Sequence, residues 1–191
     1  MALYQPLQLQ LITTGGERRH FQQCLQRDHP LGYRVPYGAQ LRYFVRSQQP
    51  PFPILACLLF TSAAWRMAPR DAWIGWSEAA RKTNLPLVVN NSRFLILRGV
   101  KIPHLASHVL ALAARRLAID WQSHYGVRPV LLETLVDRPY AGTSYRAANW
   151  VLVGKTQGRG RMDRHHQAGG TCKDILLFPL CRRWRQQLLH P

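Results

Sequence analysis

The sequence predicts one α/β domain: a mixed sheet with a long central helix and a C-terminal antiparallel strand pair. Three observations carry this expectation. Short runs that alternate or are continuously apolar recur along the chain at strand length. One stretch, about residues 103–124, repeats apolar residues at helical spacing. The order strand, long helix, strand, followed by a short helix and two strands, suits a crossover feeding a mixed sheet. The 191 residues, 47% hydrophobic, suffice for one sizeable core, and the whole of 1–191 is expected to form a single domain.

Leu7 to Leu11 alternates strictly and stops at Thr13-Thr14-Gly15-Gly16, as a half-buried strand and its turn do. Glu17 to Arg27 spaces Phe21, Cys24 and Leu25 as an amphipathic helix. His29-Pro30-Leu31-Gly32-Tyr33 breaks it and opens a loop through Pro36 and Gly38. Gln40 to Arg46 reads as a strand and Ile54 to Phe60 as one buried on both faces, the two forming a hairpin. Trp65 to Asn84 is a helical insert beginning near Pro69-Arg70-Asp71; its Trp65, Trp73 and Trp76 are expected mainly in the core, with base stacking as the alternative.

In Leu85 to Leu97 two apolar runs flank Asn90-Asn91-Ser92-Arg93. A polar insert within a strand suggests a bulge that re-aims side chains; a turn between two strands is the alternative. Pro103 stands at the start of the long helix, where a missing N–H costs nothing, and Tyr125-Gly126 ends it. Pro129 to Val136 then reads as a strand, Ala141 to Ala148 as a short helix, and Asn149 to Lys155 as a strand. A basic loop follows at 155–170, then a strand from Lys173 to Leu180 and a basic tail with Arg182, Arg183 and Arg185.

The net charge is +17, from 26 basic and nine acidic residues, and 22 of the 26 are arginine. Arginine forks phosphates and guanine edges and stacks on bases, so a polyanion, DNA above all, is the expected partner. Codon bias toward arginine is the bland explanation. The four cysteines lack CxxC spacing, which indicates neither a zinc knuckle nor a disulfide framework. No apolar run is long enough to span a bilayer and no leader is recognisable, so a cytoplasmic protein without a membrane partner is expected.

The chemistry-bearing residues concentrate between Pro129 and Arg161. Glu133 and Asp137 lie four apart on one strand and its exit, so both carboxylates share a face. Such a pair is expected either to hold Mg2+ or Mn2+ for phosphodiester chemistry or act as acid and base, or else to balance arginines. Ser144 and Tyr145 open the short helix, and Asn149 follows it. Asn91, Arg93, Ser144 and Asn149 are expected to shape the site around Glu133, Asp137 and Tyr145. His165 and His166 lie in the basic loop without the His–apolar–His spacing of rolling-circle nickases. Arg146, Lys155, Arg159, Arg161 and Arg164 are the expected nucleic-acid contacts, with Gly158 and Gly160 allowing close approach to phosphate.

Two family resemblances accompany these motifs. Tyr145-Arg146-Ala147-Ala148-Asn149-Trp150-Val151-Leu152-Val153-Gly154 resembles the closing pattern of the GNAT acyltransferases, and the element order resembles their fold. In a GNAT-like site a tyrosine here can protonate a leaving thiolate; in a strand-cleaving enzyme it could attack phosphorus. The glycine-rich loop that cradles the pyrophosphate of acetyl-CoA in that family is replaced by Arg98-Gly99-Val100-Lys101-Ile102-Pro103-His104, so acetyl-CoA is not the expected cofactor. His29-Pro30-Leu31-Gly32-Tyr33, Val88 to Leu97 and Leu105-Ala106-Ser107 together resemble the DruA family of the Druantia anti-phage system, with transposase-associated relatives. Ser144 stands where relatives often carry cysteine, and the extra N-terminal helical segment of longer relatives is not seen. The resemblance implies a role in defence or mobile elements, acting on DNA, and the leading expectation for the chain is DNA processing, by strand cleavage or base modification. The alternatives are a non-catalytic DNA-binding module for a helicase or transposase, and an acyl-CoA-dependent transferase.

Overall fold

The structure is a computed structural model that describes residues 4–158 and 171–190. Seven strands form one sheet: β1 (Leu7–Leu11), β2 (Gln40–Ser47), β3 (Ile54–Ser62), β4 (Val88–Ile96), β5 (Leu131–Asp137), β6 (Val151–Lys155) and β7 (Lys173–Pro179). Their order is β1-β2-β3-β4-β5-β7-β6. Every neighbouring pair is antiparallel except β4 and β5, joined in parallel through the long helix α4 (Leu105–Tyr125). The expected crossover and the C-terminal antiparallel pair are thus present. What the sequence did not predict is the insertion of β7 between β5 and β6.

Helix α1 (Gly15–Asp28) begins with a capping box: Thr14 accepts from the Glu17 amide while Glu17 reaches back to the Thr14 amide. The Trp-rich insert is two helices, α2 (Ala68–Ile74) and α3 (Glu78–Asn84), because Gly75 adopts φ 81° and ends the first. A short 3₁₀ turn (Leu85–Leu87) leads into β4. Helix α4 starts later than Pro103 suggests: His104, at φ 60°, caps it with no side-chain bond. Helix α5 (Thr143–Ala147) precedes β6, and the basic tail forms α6 (Trp184–Leu189).

The helices divide between the two faces. On one, α4 and the residues around α5 pack Leu105, Val109, Leu117 and Trp121 against Tyr43, Phe60, Leu132, Trp150 and Leu176. On the other, α1 covers Phe44, Cys57 and Leu59, while α2, α3 and α6 cover Val88, Leu131, Ile175 and Leu177. Cys57 is core, as expected, and no described cysteine is in a disulfide. Trp76 is buried, Trp73 stacks on Trp184 at 4.6 Å between ring centres, and Trp65 is exposed. The tryptophans are therefore only partly core. No helix among the described residues is long and apolar enough to cross a membrane.

Candidate functional site

Strands β4 and β5 hold together over three residue pairs only, Val88 with Leu131, Val89 with Leu132 and Asn90 with Glu133. Beyond them β4 runs on to Ile96 and β5 to Asp137, unpaired to each other. The expected bulge sits at this parting. Phe60 pairs with Asn91 and Leu59 with Arg93, so Ser92 is the extra residue in one continuous strand. The bulge puts Asn91 and Arg93, two apart in sequence, on opposite faces of the sheet.

Asn91 is buried and ties the parting strands together. Its Nδ2 donates to the carbonyls of Leu59 (3.2 Å) and Arg93 (3.1 Å). Its backbone carbonyl accepts from the Thr134 hydroxyl on β5 at 3.0 Å. Its Oδ1 accepts from the Tyr145 hydroxyl at 2.7 Å. The Tyr145 ring sits edge-on to Phe94 and Trp150. Burial raises the Tyr145 pKa well above the ordinary phenol range, so the hydroxyl keeps its proton.

Beside this cluster a groove of about 550 Å³ runs between α4, the end of α5 and the end of β7. Its α4 wall carries Ala111, Ala114 and Ala118 at helical spacing, whose short side chains leave the trough open. His104, Ser107, His108, Arg115 and Arg128 supply polar and cationic groups, and Asn149 lines the opposite side. At the upper end the Ala106 and Ser107 amides lie in the first turn of α4, where helix geometry gives them no acceptor. An anion is favoured there by the helix dipole.

The acid pair lies elsewhere. Glu133 is completely buried; Oε2 pairs with Arg70 Nη1 at 2.9 Å and Oε1 accepts from the Ala64 amide at 3.2 Å. Asp137 binds Lys173 Nζ at 3.2 Å and the Thr171 hydroxyl, and these hold its carboxyl below the usual range, the hydroxyl most. The two acids do share a face, but four residue steps along the strand separate them by roughly 13 Å. That face is the α2 side, whereas Asn91, Thr134 and Tyr145 occupy the α4 side. The expected Mg2+ or Mn2+ site on Glu133 and Asp137 is therefore not assembled. Among the described residues no cluster of three His, Cys, Asp or Glu side chains could hold a metal.

The remaining expected residues scatter. Arg93 turns away from Tyr145 and holds the His29–Tyr33 loop, donating from Nε to the Gly32 carbonyl at 3.0 Å. Ser144 sits in the first turn of α5, and its carbonyl receives the Ala148 amide. Arg146 donates to the Ala141 carbonyl at 3.3 Å and lies 3.8 Å from Asp174. Lys155 ends β6, exposed. Arg159, Arg161, Arg164, His165 and His166 lie outside the described residues. Sequence reasoning missed Arg70, which is fully buried, and the whole groove wall. The alanine spacing on the long helix was the available signal for the latter.

The Druantia protein DruA family matches residues 3–169. The chain belongs to the DruA family. No curated protein matches it in sequence. In structure this DruA-family chain is similar to Arabidopsis thaliana NAA60 in complex with acetyl-CoA, at TM-score 0.59 and 9% identity, covering 91% of this chain and 98% of the other. It is also similar to spermidine N-acetyltransferase from Vibrio cholerae in complex with CoA and spermine, at TM-score 0.53 and 11% identity, covering 96% and 98%. The ribosomal-protein-S18-alanine N-acetyltransferase from Escherichia coli gives TM-score 0.53 and 10% identity, covering 91% and 94%. Identities this low show a shared fold, which is the GNAT-like one expected. Setting acetyl-CoA aside for want of glycines is the one cofactor expectation these neighbours weaken, since two of the three were solved with CoA or acetyl-CoA.

Proposed function

We propose that this DruA-family chain serves anti-phage defence or a mobile element as an acyl-CoA-dependent transferase. The observation that carries this reading is the parting of β4 and β5 at Asn91 and Tyr145, beside a groove lined with cations. The residues present fit a CoA-type anion in an altered way. Gly99, at φ 88°, is the lone glycine of the loop, and the Val100 amide is occupied by the Leu97 carbonyl. Phosphate binding would rest instead on the first-turn amides of α4 with His104, His108 and Arg115. When bound, the cofactor supplies an activated acyl thioester. Tyr145 holds a proton at its hydroxyl, and donating it outward requires exchange of its bond to Asn91 Oδ1. In this reading Glu133 keeps a structural role.

Thermal unfolding with CoA tests the reading. Occupancy at a hundred times Kd adds about 2.7 kcal/mol of stability, so the midpoint should rise with CoA and rise less in His108→Ala/Arg115→Ala. A midpoint indifferent to CoA would remove the transferase reading.

The charge of +17 favours a second reading, a DNA-binding module for a helicase or transposase. With Glu133 and Asp137 each already neutralised, strand cleavage lacks the acid pair on which it was expected to depend. DNA processing through these two acids is tested by plasmid nicking with Mg2+ or Mn2+. Cleavage abolished in Glu133→Gln at unchanged stability would restore it.

A further inference from the structure

We infer that a second, aromatic cleft binds an unpaired base of a single-stranded nucleic acid. It lies at the other end of α4, between α3, the start of β2 and the end of β3. Its volume is about 250 Å³ and its walls include Trp65, Lys82, Trp121 and Tyr125. That is below the roughly 300–1,000 Å³ of pockets that enclose whole drug-sized ligands and suits one flat ring.

The aromatic groups are held in place from behind. Trp65 is 53% exposed, and Arg81 lies over its ring at 4.8 Å while donating to its carbonyl at 2.7 Å. Tyr125 packs on Trp121 at 4.9 Å, and its hydroxyl both accepts from the Gln40 amide and donates to the Gln40 carbonyl. Rings fixed in this way lose little entropy when a base stacks on them. Tyr37, two residues before the Ala39 that lines the cleft, is 89% exposed.

Charge selects the ligand. Lys82 lines the cleft, and with the exposed Arg66 beside Trp65 and the buried Arg81 over its ring it faces one acid, Glu78, which all three approach. An excess of cations beside exposed aromatic faces matches a phosphate chain with bases stacking from it. A purely apolar partner would gain nothing from these cations. The inference does not depend on the CoA groove; it rests on the DNA-binding reading only for its partner class.

The test is anisotropy of a labelled oligothymidylate, an oligouridylate and an abasic strand of equal length, each with the full chain. Trp65→Ala should weaken oligothymidylate binding about 5- to 160-fold, the cost of one stacking platform. Abasic binding should be unchanged, and Trp65→Phe should restore most of the loss. The uridylate arm tells DNA from RNA as the source of the base. Equal affinity for thymidylate and abasic strands, or a folded Trp65→Ala that binds thymidylate as tightly as the parent, overturns the proposal. Salt-dependent duplex binding that survives either result would leave the DNA-binding reading standing without this cleft.

Discussion

Arg70 and Glu133 set the energetic tone at the residue scale. Both side chains are fully buried, and Arg70 also donates to the Ala64 carbonyl at 2.8 Å and to Asp71 Oδ1 at 2.9 Å. Removing one partner of a buried pair strands the other charge. Glu133→Ala is therefore expected to cost about 3–5 kcal/mol in urea unfolding, with Glu133→Gln costing less because Arg70 keeps an acceptor. A stable Glu133→Ala would show that the pair contributes nothing to the fold. His29 gives a pH signature. Burial and then the Arg93 charge lower its pKa from 6.5 to about 4, and its Nδ1 accepts from the Leu31 amide at 3.1 Å. Below pH 6.5 the unfolded chain binds a proton that the folded chain resists. Stability tied to His29 is thus complete above pH 6.5 and declines as pH falls toward 4. His29→Asn, which keeps an acceptor, should flatten that part of the stability curve; an identical pH slope in the variant would exclude His29 as its source.

At the scale of elements, the parting of β4 from β5 opens the site on the α4 face, while α2 seats on β6 on the opposite face of the sheet. Tyr145→Phe deletes the donor to Asn91 and leaves a buried acceptor unpaired, a loss of about 1–3 kcal/mol. If Tyr145 also protonates a leaving group, turnover should fall while CoA affinity stays constant. A parallel loss of both would reduce Tyr145 to a structural tie. Gly154, at φ 155°, has no room for a side chain: an added Cβ would meet Pro69 of α2 at 2.7 Å. Gly154→Ala should therefore push α2 from β6 and lower the thermal midpoint, at about 1–3 kcal/mol. Much of this was legible. Alternation and apolar runs located the strands, and polar residues inside an apolar run located the bulge. The order β5-β7-β6 was not, because strand periodicity carries no pairing information. Nor was the split of Asn91 from Arg93, since one extra residue inverts every later side chain. The buried Glu133 invited an arginine, but nothing local to the sequence picks Arg70 from 22 candidates.

At the scale of the molecule, charge and fold point to different ligands, and a measurement can weigh them. The GNAT-like scaffold offers a groove for one small anion; a net charge of +17 offers attraction to a long one. Strands β6 and β7 are antiparallel neighbours, and Lys155 pairs in register with Asp174, so the basic segment between them is anchored at both ends. Each phosphate neutralised by Lys or Arg contributes about −0.9 to the slope of log affinity against log salt on duplex DNA. Arg159→Ala/Arg161→Ala should then weaken binding and make the slope shallower by roughly two. The same variant should leave CoA stabilisation untouched, because it keeps the groove residues His104, His108 and Arg115. An unchanged slope would take this segment out of the DNA interface and leave the remaining arginines to account for the charge. A shallower slope together with intact CoA binding would mean that one scaffold holds a small anion on its α4 face while the β6–β7 connection follows a polyanion.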